Sequence, residues 1–121
     1  TRKTDFIGSI GVLATIADYS GRLEQMGVKL HQIYAPQSSD KNRDYKEALE
    51  GNYELIQAEL KLIADEFIKH VRSSRKGKLN LEYENPFTGK MYPADEAIKI
   101  GLVDGYKSFD EAVVRAAELG S

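Results

Sequence analysis

This 121-residue sequence predicts an α/β fold with mostly parallel strand pairing, on three observations. Short apolar runs rich in Ile, Val and Gly alternate with stretches of helical period. Turn and cap signals separate them. The resulting order is strand, helix, strand, long helix, helix, short strand, helix, the alternation from which parallel sheets are built.

Each element has a local reason. Residues 6–16, "FIGSIGVLATI", read as a buried strand in which Gly8 and Gly11 mark a bend or a close approach of two backbones. Asp18 and Ser20 are candidate N-caps for a short helix over 21–25, and Gly27 sits where a left-handed stop is favoured. "VKLHQIYA", residues 28–35, alternates and predicts a second strand, partly covered on both faces. The polar stretch 36–43 is a loop. Asp44 and Glu47 have the spacing of a capping box, opening a helical region to about Arg72. Leu49, Tyr53, Ile56, Leu60, Ile63, Phe67 and Val71 then recur in steps of three and four, one stripe on one face. Gly51 and Asn52 interrupt it, and Asn52 is placed to cap the longer second part. Arg72 and Arg75 suit a helix C-terminus.

Asn-Pro and Thr-Gly mark turns within 85–92. Pro93 fits the first position of a helix to Ile100, which Gly101 stops. Residues 102–105 predict a short buried strand. Ser108 and Glu111 form a second capping box, and Ala112, Val113, Ala116 and Leu119 predict the inner face of a last helix.

Composition narrows the function classes. Seventeen basic and 19 acidic residues give a formal charge of −2, which calls for neither nucleic acid nor an anionic membrane as partner. Cysteine is absent, so disulfides, thiolate catalysis and cysteine zinc sites are excluded. No run approaches the roughly 20 apolar residues of a spanning helix. The chain opens on Thr1 and not on methionine, which points to a fragment or a processed form.

Few residues present themselves for chemistry. Ser9 lies between Gly8 and Gly11, but "GSIG" lacks the G-x-S-x-G spacing of a nucleophile at a strand-to-helix turn. Its plain reading is a small residue in a close backbone approach. His31 and His70 stand alone in their elements without H-x-x-x-H spacing, which argues against a metal site. Lys41 follows a strand end in a polar loop, where sites collect in α/β folds. Lysine serves as a general base when its surroundings lower its pKa. On the loop alone the default is a solvated lysine. The long apolar stripe reads first as core and second as a subunit contact.

Three stretches taken together carry a resemblance. "IGSIGV" (7–12), "GVKLHQIYA" leading to Lys41, and "PFTGKMYPADEAIKIGLVD" (86–104) occur in the same order in the SppA-type signal peptide peptidases and protease IV. The chain resembles the C-terminal half of these proteins, and is most similar to the phage capsid (head-maturation) protease branch. The resemblance implies a Clp-protease/crotonase-like α/β spiral, with residues 1–121 forming the C-terminal portion of one peptidase domain. It implies a homo-oligomer, a polypeptide substrate, no cofactor or metal, and a bacterial or phage origin. The implied chemistry is peptide hydrolysis by a Ser–Lys dyad. In the family the nucleophilic serine and the oxyanion-hole glycines lie upstream of the "GSIGV" segment. Ser9 therefore matches a structural serine, and Gly8, Ser9, Ile10 and Gly11 match the edge of the substrate cleft. The base falls in the loop after Ala35. An ungapped match from Tyr34 sets it at Ser39, and a loop two residues longer brings it to Lys41, the one lysine there. On this view the chain carries the base without the nucleophile and is inactive alone. The competing expectation is a non-catalytic assembly module of the same fold.

Overall fold

The computed structural model describes all 121 residues. It divides into two units, one of residues 1–12 and 64–121, the other of residues 13–63. The chain is a mixed, largely helical α/β protein with one small sheet.

In the first unit, β1 (Phe6–Gly8) pairs antiparallel with β2 (Met91–Pro93), in the register Phe6 with Pro93, Ile7 with Tyr92 and Gly8 with Met91. The expected parallel pairing does not form. β1 is also shorter than the strand predicted over 6–16. Gly8 at φ +141° and Ser9 at φ +56° turn the chain out of the ladder. The pleat sends Ile7 and Tyr92 to one face and Phe6, Met91 and Pro93 to the other, where all three are exposed.

The core lies on the Ile7–Tyr92 face. Ile10, Tyr92, Ala97, Ile100 and Leu102 are buried together, and Ile68, Val71, Leu79 and Phe87 pack on them. The Tyr92 hydroxyl donates to the carbonyl of Asn85 at 3.3 Å. Helix α4 (Ala94–Ile100) starts straight after β2 and packs on both strands. Pro93 acts as its N-cap, one position before the place expected.

Gly101 ends α4 at φ +88°, and the Leu102 amide donates back to the Ala97 carbonyl at 2.9 Å. That bond occupies the amide a ladder needs. Residues 102–105 accordingly form no strand, 102–104 being a bend, although Leu102 is buried as expected. A Cβ on Gly101 would run into the Lys78 carbonyl. Arg75 seals the same place. Its Nε donates to the Gly101 carbonyl at 2.8 Å and its guanidinium reaches Asp104 at 2.9 Å, with Lys78 on the same carboxylate at 3.1 Å. Arg75 is thus committed to this crossing, not to the end of its own helix as expected. Arg72 lies over the Phe87 ring, 4.6 Å from its centroid.

Helix α5 (Phe109–Gly120) opens with the predicted capping box: the Ser108 amide donates to Glu111 at 2.7 Å and the Glu111 amide to the Ser108 hydroxyl at 3.3 Å. Its expected inner face is not buried. Val113 and Leu119 are 52% and 70% exposed, because no element packs against them.

The second unit holds α1 (Ser20–Gln25), a 3₁₀ turn (Pro36–Ser38), α2 (Arg43–Leu49) and the start of α3 (Glu54–Ser74). α1 starts one residue before the span expected. Tyr19 takes the cap position, while Asp18, one residue earlier, accepts from the Ser20 amide of the first turn at 2.9 Å. The strand expected over 28–35 does not form. No neighbouring strand in the chain supplies a ladder, and Leu30 and Ile33 stay 73% and 94% exposed.

The box at Asp44 and Glu47 is also replaced. Asn42 opens α2 at φ +55°, and the Glu47 carboxylate is taken by Arg43 at 2.8 Å and by Asn52 at 3.0 Å. The predicted break after α2 holds: Gly51 is left-handed, and the Asn52 side chain accepts from the Glu54 amide at 3.2 Å at the start of α3. The apolar stripe is only partly engaged. Val71 packs on the core, but its neighbour there is Ile68, outside the predicted stripe, while Ile63 and Phe67 are exposed.

Two consequences are measurable. Ile100 is fully buried, and Ile100→Ala should cost about 2–5 kcal/mol in urea unfolding. Asp104 is held at about 2, below its usual 3.8, by hydrogen bonds first from Arg75 and then from Lys78. A carboxyl with a lowered folded pKa stabilises above its unfolded pKa and loses that contribution as pH falls. Asp104→Asn should therefore lower the melting temperature at pH 7, with the difference closing as pH drops from about 4 to about 2. The carboxylate is exposed, so salt should shrink the effect.

Candidate functional site

Gly8, Ser9, Ile10 and Gly11 form one compact feature of the first unit. The Ser9 amide donates to the Lys90 carbonyl at 3.0 Å just beyond the ladder. A Cβ on Gly8 would strike that same carbonyl, and one on Gly11 would come within 3.2 Å of the Gly89 Cα. Both glycines thus mark the close backbone approach their sequence context predicts. Ile10 anchors the segment from below, 6% exposed in the core. Ser9 itself is exposed, and its left-handed backbone carries roughly 1–2 kcal/mol of strain.

A nucleophilic serine needs a base aimed at its hydroxyl. Lys90 contributes only its backbone to Ser9. Its amino group donates to Glu84 at 3.1 Å and lies 5.1 Å from the Tyr92 ring centroid. The Glu84 hydrogen bond, with the charge behind it, pushes the Lys90 pKa up, the wrong direction for a base. The geometry at Ser9 is that of a turn residue.

Lys41 belongs to the second unit, in the turn joining the 3₁₀ segment to α2. Its amide donates to the Ser38 carbonyl at 3.1 Å, and the Arg43 amide donates to that of Asp40 at 3.2 Å. Its side chain is exposed. The flanking Asp40 faces Arg43 at 3.6 Å. The segment leading into this turn borders a cavity of about 240 Å³, lined by Gln32 and Tyr34 on one side and by Asn42, Tyr45 and Lys46 of the α2 region on the other. On that first side the Tyr34 hydroxyl donates to Gln32 at 3.0 Å. Asp18 closes one end, its pKa lowered by hydrogen bonds from Ser20.

His31 and His70 are exposed. Sequence reasoning missed two further polar groupings: Arg75 and Lys78 on Asp104, and Tyr83 donating to Glu96, which also accepts from Lys99 at 3.1 Å. The Tyr83 bond lowers the Glu96 pKa and raises that of Tyr83. Both groupings brace the first unit. The Asp104 and Tyr83 contacts join residues too far apart in sequence for any periodic signal to announce them.

A Methanocaldococcus jannaschii protein named as a "putative protease" is 25% identical over 119 residues. The match takes in 98% of this chain and 38% of the relative, so the chain spans well under half the relative's length. The profile of peptidase family S49 matches residues 1–121. With its whole length inside that profile, the chain belongs to peptidase family S49.

Proposed function

We propose that this chain is the base-bearing part of a serine endopeptidase of the SppA type, nearest the phage capsid protease branch. Lys41 is the general base, and the serine nucleophile is supplied by residues outside these 121. The observation that carries this reading is the family S49 match over the entire chain. In the proposed reaction the serine hydroxyl attacks the peptide carbonyl while the Lys41 amine takes its proton. The lysine then passes that proton to the leaving amine. Water releases the acyl group by the same route in reverse. Gly8, Ser9, Ile10 and Gly11 form an edge of the cleft, with Ser9 in a structural role.

One feature of this chain supports the division of labour, and the exposure of Lys41 sets a condition on it. A lysine base works only when desolvation or neighbouring positive charge favours its neutral form, and Lys41 is exposed here. Its cover has to come from further residues of the same polypeptide or from a second subunit. The apolar segment 28–35 has no strand partner within the chain, which suits a sheet completed by those residues. On this reading the completed domain is the Clp-protease/crotonase-like spiral, assembled as an oligomer.

The 121-residue chain alone should hydrolyse neither casein nor a fluorogenic peptide. Joined to the preceding segment of its coding sequence it should do so, and Lys41→Ala should then lower kcat by about 10²–10⁴-fold with little change in KM. Unchanged turnover in that variant would remove Lys41 from the mechanism. Hydrolysis by the 121-residue chain, abolished by Ser9→Ala, would overturn the whole reading. A joined polypeptide that assembles without cleaving anything would favour a non-catalytic module.

A further inference from the structure

We propose that the groove between the start of α2 and the first turns of α3 docks a polypeptide segment in which apolar side chains are flanked by lysine or arginine. The groove has a volume of about 370 Å³ and lies wholly within the second unit. Its floor is Leu55, Ala58 and Leu62, at i, i+3 and i+7 on α3, which puts them on one face. That face is open: Leu55 and Leu62 are 38% and 70% exposed. Apolar anchors at this spacing are how a helix face receives a partner segment.

The rim decides what kind of partner fits. Asp40 and Asp44 stand on the α2 side and Glu59 on the α3 side. The rim's positive group, Arg43, is already shared between Glu47 at 2.8 Å and Asp40 at 3.6 Å. An apolar floor under carboxylates attracts a cationic segment and repels an anionic one. The rim therefore disfavours a second copy's exposed helix α5, whose Asp110, Glu111 and Glu118 outnumber its one arginine, Arg115. The docking does not rest on the peptidase reading.

The test is binding without turnover. A fluorescein-labelled peptide with a leucine–alanine centre and lysines at both ends is titrated with the 121-residue chain, against a copy with glutamates at both ends. The lysine peptide should bind at least about tenfold more tightly, and about 0.5 M sodium chloride should weaken it. Glu59→Lys and Leu62→Gln should each weaken binding by about tenfold, since one removes rim charge and the other floor contact. Circular dichroism checks that each variant keeps its helices. If Leu62→Gln loses them, Glu59→Lys and Glu59→Gln decide the matter. Equal affinity for the two peptides, or affinity indifferent to the substitutions, would overturn the proposal. So would a dimer in sedimentation that forms through Leu62 and leaves the lysine peptide unbound. Because no cleavage is measured, failure here leaves the role of Lys41 untouched, and failure of Lys41 leaves the docking result standing.

Discussion

The first unit depends on how closely the backbone at Gly8 approaches that at Lys90. Any side chain at position 8 would meet the Lys90 carbonyl, so only glycine lets the two segments close. Once closed, the ladder puts Ile7 and Tyr92 on one face and delivers Ile10 to the core just beyond it. β2 then passes into α4 with no intervening loop, and α4 carries Ala97 and Ile100 onto the same core. A three-residue ladder contributes few hydrogen bonds. Its importance is positional, because the apolar side chains it aligns supply most of the burial.

A second close approach, at Gly101, works in the same way with added charge. The chain at Lys78 passes so near that only glycine fits, and Arg75 bonds both the Gly101 carbonyl and the Asp104 carboxylate. Arg75 is largely buried while Asp104 is exposed. The hydrogen bond to the carbonyl therefore matters more than the ion pair, which water and salt screen. The stretch "FTG" followed by "GLVD", part of the resemblance read from the sequence, has a mechanical basis here. Its first glycine, Gly89, forms the turn against Gly11, and its second, Gly101, is the crossing beneath Lys78.

This mechanics bears on the proposed chemistry. The Gly8–Gly11 run is tied to the core through Ile10 and to Lys90 through a backbone bond, which suits a rigid edge for an extended peptide. Lys41 stands on a turn in open solvent; on the proposed reading it acts as a base only once further residues exclude water from it.

The sequence by itself determined the local events. The capping box at Ser108 and Glu111, the stops at Gly27, Gly51 and Gly101, the Asn52 cap and the two close-approach glycines all follow from residues a few positions apart. Lys41 and the Gly8–Gly11 run are site candidates through the peptidase resemblance; their own sequence context gives a solvated lysine and a close backbone approach. The tertiary structure alone decided what each apolar face meets. Alternation over 28–35 and helical period over 109–120 show which side chains share a face, but burial needs a partner, and this chain supplies none to either. The same limit explains why Ile68 and not Phe67 reaches the core, and why Arg75 turns to Gly101. Each is settled by contact between segments distant in sequence, and such contacts leave no period for a local pattern to carry.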